Sequence, residues 1–385
     1  MRLVYLSPFP LLREPTGPWW PEVKSWTGVR EYQRWWPGDV VFASPGHRVH
    51  PGGPVPSGHV QDDGTGPSIV EVPPFDDPEG QVRALSRLGP SVVLTLMNYQ
   101  ARHLVDRLPV ALTVEHDFAI RRGIALASGP VHSRSRALVG LLRREPAYRR
   151  MARSATGLQC NGPAATRAYG PLAQNVLSYM DHRLTAADVE SARDIPAWDG
   201  RRPLRLAFSG RWTAIKGPRF VLEAARLLDV SLPGARIAML GAGELEEELR
   251  STAPGNVDFV GYLDFETQWR DYVRQRVDLM ILPHVQGDPS CTYFESLGSG
   301  APVVGFHNGT LTPLARDGGA AVAVRRGDAA ALAEAVACLA QDPVRYAAMR
   351  DAGLSLVGRQ PWETLSQRRV EHLVDVAASV LATSG

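Results

Sequence analysis

Residues 204–240 read LRLAFSGRWTAIKGPRFVLEAARLLDVSLPGARIAML. An apolar run, Leu204–Ser209, gives way to a glycine turn, and a helix-period stretch, Phe220–Leu228, follows. After Pro233 and Gly234 a second apolar run, Ala235–Leu240, begins. Strand, helix and strand in that order describe a crossover connection, which makes the two strands parallel neighbours in one sheet. The alternation continues downstream. Glu244–Ser251 reads as a helix, Val257–Phe259 as a short strand, Asp278–Leu282 as a buried strand, Ser290–Gly298 as a helix, Pro302–Phe306 as a strand and Ala329–Ala340 as a helix. Upstream, Leu3–Leu6, Val40–Ala43, Ser91–Leu96 and Ala111–Val114 read as strands, with helical stretches around Gln81–Leu88, Ala137–Ala152 and Ala164–Tyr169. The Gly/Pro-rich segment 45–67 reads as irregular loop.

At 385 residues the chain exceeds what one core usually organises. The stretch Asp194–Arg202, with Pro196, Gly200 and the following Pro203, is the best linker candidate. The expectation is an α/β protein of two doubly wound, Rossmann-like domains facing a central cleft, residues 1–195 and 203–355, without solenoid repeats. Ligands of such sheets bind beyond the carboxyl ends of the strands.

Composition excludes several classes. A formal net charge of +2 gives no argument for a nucleic-acid partner. Cys160, Cys291 and Cys338 are scattered without metal-ligand spacing, which fits reduced thiols in a cytoplasmic protein. The first residues, MRLVYLSPFPLL, read as a buried strand and not a signal peptide, and no apolar run approaches a membrane span. A soluble protein, at most peripheral at the inner face of a membrane, is expected. Of 42 lysines and arginines only Lys24 and Lys216 are lysine, so a retained lysine calls for a reason.

Two segments carry chemistry. In FSGRWTAIKG, 208–217, Gly210 lets the chain turn sharply after the strand, and Arg211 and Lys216 project from the loop. Two cations on a turn at a sheet's carboxyl edge suit a diphosphate, and Lys216 would act there as a compact point charge. A solvated surface loop is the competing reading. In HVQGDPSCTYFESLGSGAPVVGF, 284–306, a helix starts near Ser290, so the free amides of Ser290, Cys291 and Thr292 form an anion site along the helix dipole. Glu295 lies within the first two turns, where a carboxylate can accept a ribose diol. An ordinary capped helix, with Ser290 as cap and Glu295 solvated, is the alternative.

Together the segments resemble the large family of retaining glycosyltransferases with the GT-B fold (group 1, family 4-like). The strand–G-R-x4-K-G loop is matched by Gly210, Arg211, Lys216 and Gly217, and the element ending E…A-x-G-x-P-V-V by Glu295 and Ser299–Val304. LGAGELEEELR at 240–250, VDFVGYL at 257–263 and VDLMILP at 277–283 agree in order. TVEHD at 113–117 and ATGLQCNGPAATRAYG at 155–170 fit more loosely.

The resemblance implies an acceptor-side first domain, with a terminal helix within 362–385 crossing back to it, and a nucleotide-sugar-binding second domain. It implies that Arg211 and Lys216 bind the donor diphosphate, that the amides at 290–292 cradle the distal phosphate and that Glu295 holds the ribose. Gly261, Tyr262 and Leu263 would line the base pocket, and His116 would reach toward the transferred sugar. The family's first glutamate falls at Gly287, leaving the adjacent Asp288 to supply a carboxylate. The implied activity is metal-independent retaining transfer of a hexose, from a UDP-linked donor ahead of a GDP-linked one, to a small aromatic metabolite, lipid or glycan. No cofactor beyond the donor is called for. A GT-B nucleotide-sugar epimerase and a non-catalytic sugar-nucleotide binder are the rivals.

Four features stay open. Gly241-Ala242-Gly243 invites a dinucleotide reading, but Glu246 replaces the third glycine of GxGxxG, which favours a tight turn. His116-Asp117 suggests a metal fragment, yet no second ligand cluster and no DxD motif accompany it. Trp19, Trp20, Trp26, Trp35 and Trp36 are core or an acceptor floor in a proline-rich loop. The seven arginines of residues 133–154 could lie on an anionic membrane or form a solvated face.

Overall fold

The structure, a computed structural model, describes residues 1–13, 17–49, 58–127, 131–287 and 289–384. The chain divides into two compact units. One comprises Met1–Asp117, Val139–Tyr179 and Thr364–Gly385; the other comprises Phe118–Leu138 and Met180–Glu363.

The first unit's strands are β1 (Arg2–Leu6), β2 (Leu11–Arg13), β3 (Trp19–Trp20), β4 (Asp39–Ser44), β5 (His47–Val49), β6 (Ser68–Glu71), β7 (Val92–Leu96), β8 (Val110–Val114), β9 (Gly157–Asn161) and β10 (Val176–Tyr179). Seven form a parallel sheet in the order β10-β9-β8-β7-β1-β4-β6, and β3-β2-β5 form a small accessory sheet. The long strands are buried on both faces, which is why they read as continuous apolar runs. Side chains alternate between faces. Val4, Leu6, Val93 and Leu112 enter one core with Leu85 and Met151. Leu3, Val92 and Ala111 enter the other, against Trp26 and Val29 of the helix Val23–Trp35 and Leu373 and Val376 of the terminal helix Trp362–Ser384.

Of the tryptophans read as core or as an acceptor floor in a loop, Trp26 and Trp35 lie on that first helix, Trp36 caps its end, and Trp19 and Trp20 form β3. The helix is started by Glu22, whose carboxylate accepts from the amides of Lys24 and Ser25. Trp26 and Trp36 are core, Trp19 and Trp20 are half-buried, and Trp35 is exposed. Part of the expected loop at 45–67 lies outside the described residues, and part of it forms β5 and the start of β6's approach.

The second unit's strands are β11 (Arg205–Ser209), β12 (Arg236–Leu240), β13 (Val257–Gly261), β14 (Leu279–Leu282), β15 (Val303–Phe306) and β16 (Ala321–Val324), in one parallel sheet of order β13-β12-β11-β14-β15-β16. The order runs outward one way from β11 and then, from β14, the other way. This reversal is the topological switch point at which doubly wound sheets bind ligands. The proposed linker Asp194–Arg202 belongs wholly to this unit. Arg350 donates to the carbonyls of Ala192 and Ile195, Trp198 packs edge-on against Tyr346, and Arg202 pairs with Asp278. Those contacts hold the stretch on the second core, so its Pro/Gly content marks an irregular but packed connection.

Candidate functional site

Two loops meet at the switch point. The first leaves β11 at Gly210 (φ 150°), passes a single 3-10 turn, Ala214–Lys216, and enters the helix Pro218–Ser231 through Gly217. Gly217 is required twice over. Its φ is 71°, and a Cβ there would lie 2.2 Å from the Pro283 carbonyl oxygen, at the start of the second loop. The Val285 amide donates to the Ile215 carbonyl at 3.0 Å, so the two loops are joined backbone to backbone. Between them Lys216 is buried at 7 % exposure, and its Nζ donates to Ser290 Oγ at 3.4 Å. Lys24, the other lysine, is exposed. Arg211, on the first loop itself, is exposed.

The second loop leaves β14 and ends where the helix Cys291–Gly298 begins. Ser290 adopts the extended geometry of an N-cap, but its hydroxyl makes no capping bond to this helix and no acidic side chain occupies the first turn. Nothing from the helix itself therefore offsets its positive amino end. The Cys291 thiol donates to Asp181 Oδ2 at 3.6 Å. Glu295, one turn further on, is not solvated. It is 5 % exposed and accepts from Arg183 Nε at 3.3 Å. Gly287 is closed to side chains, since a Cβ there would sit 2.9 Å from the Gly309 amide nitrogen. The Thr310 hydroxyl, in turn, donates to the Gly287 carbonyl. Asp288 lies outside the described residues.

Next to the first loop, the glycines at 241 and 243 answer the dinucleotide question. A Cβ at Gly241 would lie 2.0 Å from the Gly210 carbonyl oxygen, and one at Gly243 would lie 2.6 Å from that of Trp212. The amides of Gly210 and Trp212 donate to the carbonyls of Leu240 and Ala242. These glycines admit the neighbouring protein backbone, so they make the tight turn that the sequence favoured. Gly261 (φ 88°) ends β13; Tyr262 beyond it is 67 % exposed, and Leu263 packs on the core. Asp264 then caps the next turn, and the hydrogen bond from the Thr267 hydroxyl holds its carboxyl below the usual range.

Thus the fold brings Gly210, Lys216, Ser290, Cys291 and Glu295 to one edge of one sheet, with Arg211 and Tyr262 at the surface around them. His116 belongs to the first unit, half-buried just past the carboxyl end of β8, where the adjacent Glu115 accepts from Asn161 at 2.8 Å. Arg183 was not singled out by the sequence. Its partner is 112 residues away, and no local pattern announces it. Among the described residues, no group of three or more His, Cys, Asp or Glu is placed to hold a metal ion.

Two parallel Rossmann-like sheets in one chain, the second with two joined loops at its switch point, define the GT-B architecture. Residues 203–342, from β11 through the helix Ala329–Ala340, match the family model of glycosyl transferases group 1. The chain is 28 % identical over 200 residues to the phosphatidyl-myo-inositol mannosyltransferase of Mycobacterium leprae, which covers 50 % of this chain and 52 % of that protein. It is 27 % identical over 179 residues to the GDP-mannose-dependent monoacylated alpha-(1-6)-phosphatidylinositol monomannoside mannosyltransferase of Corynebacterium glutamicum, covering 42 % and 45 %. The chain thus spans about half the length of these curated relatives. Among solved structures, Anabaena Alr3699/HepE in complex with UDP matches 97 % of this chain and 100 % of its own at a TM-score of 0.62 and 12 % identity, a likeness of fold.

Proposed function

We propose that the protein is a retaining glycosyltransferase that moves a hexose from a nucleoside-diphosphate donor to a lipid or glycan acceptor. The observation that carries this reading is the buried Lys216, 3.4 Å from the residue that opens the helix Cys291–Gly298, at the switch point of the second sheet. A cation and a helix amino end together are complementary to a diphosphate.

In the proposed step the bond between the anomeric carbon and the diphosphate oxygen breaks as oxocarbenium character develops. The acceptor oxygen bonds to the anomeric carbon on the same face, and its proton passes to the departing phosphate oxygen. Lys216, Arg211 and the amides at 290–292 stabilise the leaving charge, a preorganised electrostatic contribution that needs no metal ion. Glu295 takes the ribose hydroxyls, and Gly261–Leu263 border the base. UDP is the nucleotide proposed. The corynebacterial relative's dependence on GDP-mannose puts that donor in the test as well.

The relatives' phosphatidylinositol names support a lipid-type acceptor. So does the helix Val131–Ser154, which exposes Val139 and Leu142 on the side that carries Arg143 and Arg153, with Arg149 and Arg150 nearby paired to Glu145 and Asp106, a face suited to peripheral contact with anionic lipid. Its Met151 is buried and serves the core. The three free cysteines support a cytoplasmic setting.

Purified protein incubated with UDP-glucose or GDP-mannose and phosphatidylinositol, followed by mass analysis of the products, tests the reading. Hexose addition with the donor's anomeric configuration kept, at a rate unchanged by a chelator, is expected. Donor isomerisation without acceptor, an inverted product or binding without turnover would each contradict it.

A further inference from the structure

The glutamate proposed to hold the ribose does not stand alone. Its carboxylate is 5 % exposed, and such a group costs several kcal/mol to bury unless a cation and hydrogen bonds compensate it. Arg183 supplies that compensation through Nε, 3.3 Å from Glu295 Oε1. The arginine is itself braced. Its guanidinium carbon lies 3.7 Å over the centroid of Phe265, a stacking contact open to arginine and poorly matched by lysine. Phe265 stacks in turn on Trp269, centroids 5.4 Å apart at 24°, and the Trp269 indole donates to Ser209 Oγ at 2.8 Å. Ser209 is the last residue of β11, immediately before Gly210. An unbroken series of contacts therefore runs from the base of the cationic loop, through two aromatic rings and a guanidinium, to the carboxylate.

We infer that Arg183 is a positioning residue for nucleotide recognition: braced by Phe265, it fixes the Glu295 carboxylate in the orientation that receives the ribose diol. This rests on the proposed role of Glu295. The arrangement references the ribose contact to the same strand end that sets the diphosphate contact, so the distance between the two is built in. A planar guanidinium stacked on one face loses little further freedom when it makes its hydrogen bond. The carboxylate's position is thereby settled before the nucleotide arrives.

The test compares UDP with 2′,3′-dideoxy-UDP by calorimetric titration of the full chain, repeated with GDP and its dideoxy form. Wild type is expected to favour the ribonucleotide by about tenfold or more, the worth of hydrogen bonds to a charged acceptor. Arg183→Met keeps an apolar stem on Phe265 but removes the cation. It should bring the preference to within about twofold while dideoxy binding stays near wild type, a pattern that loss of structure does not produce. Arg183→Lys should restore part of the preference, and in turnover the methionine variant should raise the donor KM far more than it lowers kcat.

A methionine variant that keeps the wild-type preference, or that loses both ligands equally, overturns the role of Arg183 and leaves the Glu295 reading standing. A wild type that does not distinguish the two nucleotides, or binds neither pair, overturns the Glu295 reading and this inference with it. If the methionine variant does not fold, Arg183→Lys decides alone: a reduced preference with dideoxy binding kept supports the inference, and an unchanged preference refutes it.

Discussion

The two edges of the second unit's sheet carry charge in opposite ways. At the amino edge, Asp278 precedes β14 and is enclosed. It accepts from the Arg202 and Arg205 side chains and from the Arg205 amide, and its side chain is 5 % exposed. At the carboxyl edge, Lys216 is just as buried but is set against a serine hydroxyl and the opening of a helix, amid glycine turns that bring backbone close to backbone. Both edges hold buried charge, yet one closes a carboxylate against two arginines and the other gathers a lysine, a serine hydroxyl and the start of a helix at a turn between strands. The amino edge should therefore govern stability and the carboxyl edge turnover.

The largest expected effect breaks that division at its functional end. Lys216→Ala should lower kcat/KM for the donor by about 100- to 1,000-fold, the usual cost of one preorganised donor to developing charge, with little change in melting temperature. Lys24→Ala should leave the rate within about twofold, as expected of a surface substitution. A large fall in melting temperature for Lys216→Ala, with activity per folded molecule kept, would reverse the assignment.

Asp278→Asn tests the other edge. Replacing the buried carboxylate that two partly exposed arginines share should cost about 1.5–2 kcal/mol of unfolding free energy, measured by denaturant titration, while the folded fraction keeps its donor KM. Burial pushes the Asp278 carboxyl up, but the hydrogen bonds from Arg202 and Arg205 outweigh it and hold it below the usual range. A depressed carboxyl pKa contributes stability that is complete above the unfolded value, about 4, and fades as pH falls toward the folded value. The gap between wild type and variant should accordingly be full at neutral pH and narrow below about pH 4.

Within the carboxyl edge, Gly241→Ala should cost about 2 kcal/mol, because its φ of 131° and the Gly210 carbonyl both oppose a Cβ. Gly255→Ala, where a Cβ meets nothing within 4 Å, should leave stability nearly unchanged. Smallest of all, Glu244→Gln should alter donor KM by less than about twofold, a surface change, since the turn it follows packs on protein backbone. A large effect there would revive a phosphate role for the 241–243 turn.

The strands most legible in the sequence are those buried on both faces. Leu3–Leu6, Ala111–Val114, Leu204–Ser209 and Asp278–Leu282 each fall within a residue of the observed β1, β8, β11 and β14, because an unbroken apolar run bounded by turn residues leaves little ambiguity. The strand β9, Gly-Leu-Gln-Cys-Asn, was less legible as a strand. Its buried Gln159 is satisfied by Arg369 on the terminal helix, 210 residues away, a tertiary partner that a local pattern does not contain. β16, four alternating alanines and valines, is too short and too small to announce itself.

At the site, the loop–helix pairing of Lys216 with Ser290 was readable because glycine, a rare lysine and a helix start are all local signals. What the glycines at 241 and 243 face, why Gly287 excludes a side chain, and that Arg183 holds Glu295 all depend on residues remote in sequence. Only the fold supplies them.

The claim that a diphosphate is clasped at the carboxyl edge is tested most directly by titrating UDP, UMP and uridine into wild type and Lys216→Ala by calorimetry. Wild type should bind UDP far more tightly than uridine, with UMP between them, and the variant should lose most of that gradient while its uridine affinity is unchanged. Equal affinity of wild type for UDP and uridine, or an undiminished gradient in the variant, would contradict the account.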